Sequence, residues 1–395
     1  MKNKLKWVLI AIGFFSLSRG LWYNYQSLWL LDNGLSITTI STVTSLSALG
    51  CVSAMILLFD FITKKRLKKF ICILIGLKTL TLITLFFMNG SNLFVPIKLL
   101  ILLDIVLDTE ILVSFYPLLT LFTKDDKLYG KKDLIKSTCY DIGILVGAIF
   151  LGKKLFNITI NFNIFILLSI FFCILSFFLI LKTEVKVKRI KLIDNNEVLY
   201  SLFKYLKKDK ISKRYFMFVL TINISFNIVA GLKMILLTKM LDFGASAAST
   251  YLLIVSIIAD ILGIAILHKF TFKNNIYNIL IKCGGRGIFF LLAFIIGNKY
   301  VYLLALTYTL LLSPAYGHVL DAPYINRIEN NYQFAFSNMR DIVSYIGQSI
   351  GIFICGMLFN FDIKYIFLVA FIVIIINIYF GIIIYKLKTK EKHIL

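Results

Sequence analysis

The stretch ILLDIVLDTEILVSFYPLL, residues 101–119, is apolar over the length of a membrane-spanning helix, yet it carries Asp104, Asp108 and Glu110. About 20 apolar residues suffice to cross the roughly 30 Å hydrocarbon core of a bilayer. One ionised carboxylate at the centre of that core costs about 2.5–3.5 kcal/mol on insertion scales. Three acids in one such segment therefore need partners, or a use for buried charge.

The rest of the chain places this stretch among many like it. Of 395 residues 59% are hydrophobic, the mean hydropathy is +0.87, and there are only 4 prolines. That composition belongs to integral membrane proteins rather than to soluble domains. The start, MKNKLKWVLIAIGFFSLSRG, has the basic end and apolar run of a secretory signal. The run continues past Arg19 to Leu31, too long for a cleaved leader, so it reads as a retained first span. The six cysteines lie in apolar stretches with no CxxC pair, and the three histidines have no ligand spacing, so disulfides, metals and cofactors are not expected.

Windows of apolar sequence give twelve spans, about 7–31, 37–59, 70–89, 97–123, 137–156, 162–181, 215–241, 247–268, 277–297, 300–324, 336–359 and 364–385. The expected fold is an all-α integral membrane protein of two six-helix bundles, residues 1–181 and 215–395, with a short tail. A basic central segment, 182–214, joins them. The net charge of +23 follows the loops: of 43 Lys and Arg residues, 31 fall on the side of both termini and 6 on the other. By the positive-inside rule both termini are cytoplasmic, and the basicity is a topology signal, not a nucleic-acid footprint. Within the central segment Val198, Leu199, Leu202, Phe203 and Leu206 form one helical face, as in an amphipathic helix lying on the inner leaflet or a plain linker.

The two halves also share landmarks. DNGLS at 32–36 and DFGAS at 242–246 are 210 residues apart, Gly90 and Gly297 are 207 apart, and Pro117 and Pro323 are 206 apart. The triplet Gly143, Gly147, Gly152 precedes Gly347, Gly351, Gly356 by 204. Offsets that fall in order along the chain point to a duplicated six-helix unit. The paired GxxxG stretches predict close helix contacts at spans five and eleven.

Twelve spans in two halves, with a long basic central loop, resemble the major facilitator superfamily of secondary transporters over essentially the whole chain. That family's signature G-x-L-x-D-R-x-G-R-K lies between spans two and three. Here ILLFDFITKKRLKK, from Ile56, sets Asp60, Lys64 and Lys65 at its acid and basic positions while lacking both glycines and the first arginine. The resemblance implies that Asp60 braces the cytoplasmic side against span eleven near Arg340. The family's span-four arginine motif is absent, with acids in its place, and its span-five glycine–proline pattern is partial. The resemblance also implies a monomer in the cell membrane and a central cavity lined by spans one, four, seven and ten.

Charged residues inside spans point to the chemistry. Arg19, Lys78, Lys233, Lys282, Arg286 and Arg340 stand against Asp104, Asp108, Glu110, Asp141, Asp260, Asp321 and Asp341. Left unpaired, these thirteen would cost roughly 30–45 kcal/mol in all. Asp141, Lys282, Asp321, Arg340 and Asp341, near cytoplasmic ends, are expected in gating or structural ion pairs. On span one, Ser16, Arg19, Tyr23 and Gln26 form a polar stripe with Trp22 beside it, suited either to a solute cavity or to a buried Arg–Asp pair. Asp104 and Asp108 share one face of span four, and Glu110 points roughly 120–160° away. Crowding and desolvation favour a bound proton on such carboxyls, which is what proton coupling requires. Asn223 and Lys233 on span seven, with Thr307 and His318 on span ten, complete the candidates, His318 as a proton relay.

The sequence holds no nucleophile–base pair, metal triad or phosphate-cradling loop, so an enzyme is not expected. The expected function is proton-coupled secondary transport of a small solute. Acid-rich span four favours export of cationic or amphipathic compounds. The in-span bases keep open an anionic or zwitterionic solute such as a sugar, amino acid or peptide. A third reading is a non-transporting receptor or immunity protein. The partners implied are a small solute, protons and the lipid bilayer.

Overall fold

The computed structural model describes residues 2–62, 67–88, 94–120, 126–152, 162–183, 209–269, 280–325 and 333–392, with only the backbone given at several helix ends, among them 57–62 and 313–325. No strand occurs among these residues. In chain order the helices are α1 (Lys2–Trp22), α2 (Gln26–Asp32), α3 (Ile37–Ile62), α4 (Leu67–Met88), α5 (Phe94–Thr120), α6 (Asp126–Gly152) and α7 (Asn163–Lys182). There follow α8 (Lys210–Ala230), α9 (Lys233–Ile235, running on as a wider π turn to Met240), α10 (Ala245–Lys269), α11 (Gly285–Ile296, entered through a π turn from Leu280), α12 (Lys299–Ile325), α13 (Gln333–Leu358) and α14 (Lys364–Lys392). The amphipathic face expected at 198–206, and Lys64 and Lys65, lie outside the described residues.

Eight stretches among the described residues are long and apolar enough to cross a membrane, from Leu5–Asp32 to Lys364–Leu387. The 27-residue α5 also has the length, but Lys98 and its three acids set it apart from these. Large apolar side chains such as Leu80, Phe87, Val95, Ile261 and Ile295 stand well exposed on helix surfaces. In water such surfaces would be costly, whereas in lipid a helix satisfies its own backbone and an apolar exterior is favourable. The chain is a multi-pass membrane protein.

The helices divide into two compact units, Met1–Leu192 with Met234–Leu253, and Ile193–Lys233 with Ile254–Leu395. In the first, α1 packs on α6, α7 and α5, while α4 packs on α5 and α7, and α3 on α5. In the second, α8 packs on α13, α14 and α12, and α11 on α12 and α14. The partner pattern of α1, α4, α5, α6 and α7 thus recurs in α8, α11, α12, α13 and α14. Polar stitches recur with it. Ser18 and Ser169 each donate a 3.0 Å hydrogen bond to the other's carbonyl between α1 and α7. Between α8 and α14, Ser225 donates to Ala370 O at 3.2 Å and Asn377 to Phe218 O at 2.7 Å. Hydrogen bonds and close backbone approach bind helices together in lipid, where hydrophobic burial drives little.

The glycine stretches lie where backbones meet. A Cβ on Gly143 would fall 2.6 Å from Leu17 O, and Gly20 of α1 faces the same crossing from the other side. In the second unit a Cβ on Gly347 would fall 2.7 Å from Leu220 O, and one on Gly351 2.6 Å from Ile224 O. Gly34 in DNGLS, at φ 82°, makes a left-handed turn that other residues adopt only with strain. Replacing Gly143 by Val is expected to lower the thermal midpoint of the detergent-purified protein, at a cost of about 1–3 kcal/mol from overpacking. Gly76→Ala, at a glycine with nothing within 4 Å, should leave the midpoint unchanged or raise it.

Candidate functional site

Three helices of the first unit converge on a buried group of charges. Asp104 and Asp108, four residues apart on α5, lie on one face because a helix turns about 100° per residue. Between them sits the ammonium of Lys78 from α4, with Nζ 2.8 Å from Asp104 Oδ1 and 2.9 Å from Asp108 Oδ1. The first contact is a hydrogen bond and the second an ion pair without hydrogen-bond alignment. From α1, Arg19 Nε donates to Asp108 Oδ2 at 2.9 Å, and Trp22 Nε1 donates to Asp104 Oδ2 at 3.0 Å. Gln26 Nε2 reaches that same oxygen at 3.2 Å from the start of α2.

Two acids and two bases make a neutral set. The side chains of Lys78, Asp104 and Asp108 are only 2–3% exposed, whereas that of Arg19 is 24% exposed. The network therefore has one accessible end. There the guanidinium also lies 4.9 Å from the ring centre of Tyr23 and 5.7 Å from that of Tyr140, both within cation–π range. The crowding of Asp104 and Asp108 anticipated from sequence is relieved by Lys78. Reading α1 as one continuous stripe overlooked the turn at residues 23–25, which starts a new helix at Gln26 and still brings its amide to Asp104.

Glu110 stands apart. It follows Leu102 and Val106 at four-residue steps, and these are the side chains a Cβ on Gly50 of α3 would meet, so Glu110 lies on the α3 side of α5. It is 1% exposed, and neither carboxyl oxygen has a hydrogen-bond partner. Ser16 is equally buried, with its hydroxyl unpartnered.

Asn223 Nδ2 donates to Val219 O at 2.8 Å and Thr307 Oγ1 to Leu303 O at 2.7 Å, each within its own helix. Lys233 is half-buried at the start of α9, and Asp141 is buried in α6. Arg340 Nε donates to its neighbour Asp341 Oδ1 at 2.9 Å. The side chains of Asp60 and His318 lie outside the described residues. Lys78 was the site member that sequence reasoning counted but did not place. Its signal was a lone ammonium in the middle of the 22-residue apolar helix α4.

No family profile matches the sequence, and no curated protein is similar to it in sequence. Its structure is similar to that of a mutant form of the nucleoside transporter NupG, with TM-score 0.74 and 13% identity over 96% of this chain and 99% of that one. It is similar also to a bacterial homologue of the human lysosomal transporter Spinster in an inward-facing, unoccupied conformation (TM-score 0.69, 11% identity, 98% and 97% covered). A third is a bacterial homologue of the iron transporter ferroportin in an inward-facing state (TM-score 0.69, 10% identity, 98% and 99% covered). The chain has the major facilitator superfamily fold.

Because Glu110 is buried with no hydrogen bond to either oxygen, Glu110→Leu is expected to raise the thermal midpoint, by relief of about 1–3 kcal/mol of uncompensated desolvation. A fall in the midpoint would reveal a partner that stabilises the carboxyl.

Proposed function

Taking the major facilitator fold as the premise, we propose that this protein is a secondary active transporter of a small solute, working by alternating access in the cell membrane. The reading has twelve spans in two six-helix halves and both termini cytoplasmic. It is supported by helix in each of the twelve apolar windows and by the placement of 31 of the 43 Lys and Arg residues on one side.

The observation that carries the reading is the neutral network Lys78–Asp104–Asp108–Arg19 with its single accessible end. A static lock needs no such opening. In the proposed cycle a proton on Asp108 releases Arg19, which then turns to the solute, while Lys78 keeps its hydrogen bond to Asp104. Return of the proton to the opposite side restores the pair. Lys78 and Asp104 are the fixed part of this arrangement, and Arg19 and Asp108 the exchanging part. Trp22 and Gln26 hold Asp104 in place.

Of the two solute classes, the anionic or zwitterionic one has the better support. Acid-rich α5 suggested a cationic cargo when the acids were taken alone, but both aspartates have a protein cation within 2.9 Å. The accessible member of the network is a guanidinium.

In sealed vesicles containing the purified protein, Asp108→Asn is expected to reduce flux driven by an imposed pH gradient to the level of protein-free vesicles. Solute exchange at equal concentrations across the membrane should persist, since it needs alternating access and no net proton transfer. Undiminished pH-driven flux in this variant would contradict the assignment.

A further inference from the structure

The second unit has a buried cation of its own. Arg286, in α11, is 1% exposed. Its Nη2 donates to the backbone carbonyl of Thr309 in α12 at 3.0 Å, and its guanidinium carbon lies 5.5 Å from the ring centre of Phe226 in α8. Its Nε is buried with no partner. Among the described residues no carboxylate lies within ion-pair distance of it. Asp321, on the same helix as Thr309, is twelve residues further on, about 18 Å along the axis at about 1.5 Å per residue.

The duplication explains how such a residue arises. Arg286 follows Lys78 by 208 residues, within the series that runs from 210 at DNGLS and DFGAS to 207 at Gly90 and Gly297. Helices α4 and α11 also have equivalent packing partners. In the first copy the cation meets Asp104 and Asp108. Offsets of 206–207 carry those two positions to Leu310 or Leu311 and to Pro314 or Ala315. The second copy keeps the cation and lacks both acids. A buried charge without a counter-charge is strongly unfavourable, and a guanidinium with a spare N–H is a ready donor to a planar oxyanion.

We propose that Arg286 is an anion-binding residue, and that a carboxylate or phosphate group of the solute takes beside it the place that Asp104 and Asp108 take beside Lys78. The assignment to a transported solute rests on the transporter reading. Arg286 is enclosed in this conformation, so binding of an anion beside it needs an opening of the second unit, but no transport. Phe226, stacked near the guanidinium, closes one side of the site, and Thr309 O fixes the orientation of the fork.

The test is thermal stability of the purified protein in uncharged detergent, at matched ionic strength, with inorganic phosphate, benzoate, neutral benzamide or an anionic phospholipid added. Phosphate or benzoate is expected to raise the midpoint of the wild type and of Arg286→Lys by about 2–4 °C, and benzamide to leave it unchanged. Arg286→Gln should not respond, and without anion its midpoint should equal or exceed that of the wild type, because an unpaired buried charge is gone. Leu310→Asp and Leu311→Asp supply an acid at the two positions that match Asp104, and one of them should fold and lose the anion response. The inference is overturned if no anion stabilises the wild type, if Arg286→Gln or both leucine variants respond as the wild type does, or if only the phospholipid acts. Binding in detergent requires no flux, so a protein that responds to anions but moves no solute would keep the site and lose the transporter reading.

Discussion

The ammonium of Lys78, held between Asp104 and Asp108, is the contact on which the first unit depends. It joins α4 to α5, lets α5 carry two acids through lipid, and fixes the face of α5 that α1 must meet. Each charge alone would cost a few kcal/mol in a low-dielectric interior. Together with Arg19 on Asp108, and with Trp22 and Gln26 on the remaining oxygen of Asp104, they form a neutral and nearly saturated set. Such a set ties three helices into one orientation. It also makes every single-charge deletion a problem of stranded partners rather than of lost attraction.

The two compact units differ in how they surround a buried cation on equivalent helices, Lys78 on α4 and Arg286 on α11. The first closes its charges internally, leaving Arg19 as the accessible member. The second leaves Arg286 with a backbone carbonyl, an aromatic face and an unused N–H. The helix contacts and serine stitches recur, so packing is shared between the units while the electrostatics diverge. In the proposed transport cycle the packing shared within each unit gives it rigidity, and the unequal charge gives protons and solute different places to act.

Much of the architecture was legible in the sequence because membrane physics leaves coarse marks. Apolar length and the glycine spacing predicted helices and their closest crossings, and Gly143, Gly347 and Gly351 lie at such crossings. The shared face of Asp104 and Asp108 followed from helical periodicity alone. The pairing of Lys78 did not. Nothing local to GLKTLT says which helix it meets, because that depends on how α4 packs against α5 in the folded unit. Nor did periodicity foresee the break after Trp22, where a short turn re-aims Gln26. The lack of a counter-charge at Arg286 became visible only once its neighbours were known.

The most direct test of the central contact is a double-mutant cycle on Lys78→Met and Asp104→Asn, read by reversible unfolding in detergent. Lys78→Met alone leaves Asp104 with no counter-charge and Asp108 with Arg19 only, and is predicted to cost about 3–5 kcal/mol. Asp104→Asn alone should cost less, since Asp108 still faces the ammonium. The double variant should be more stable than the sum of the two losses implies, by up to about 3 kcal/mol. Strictly additive losses would mean that the two residues do not stabilise each other, and would contradict the account.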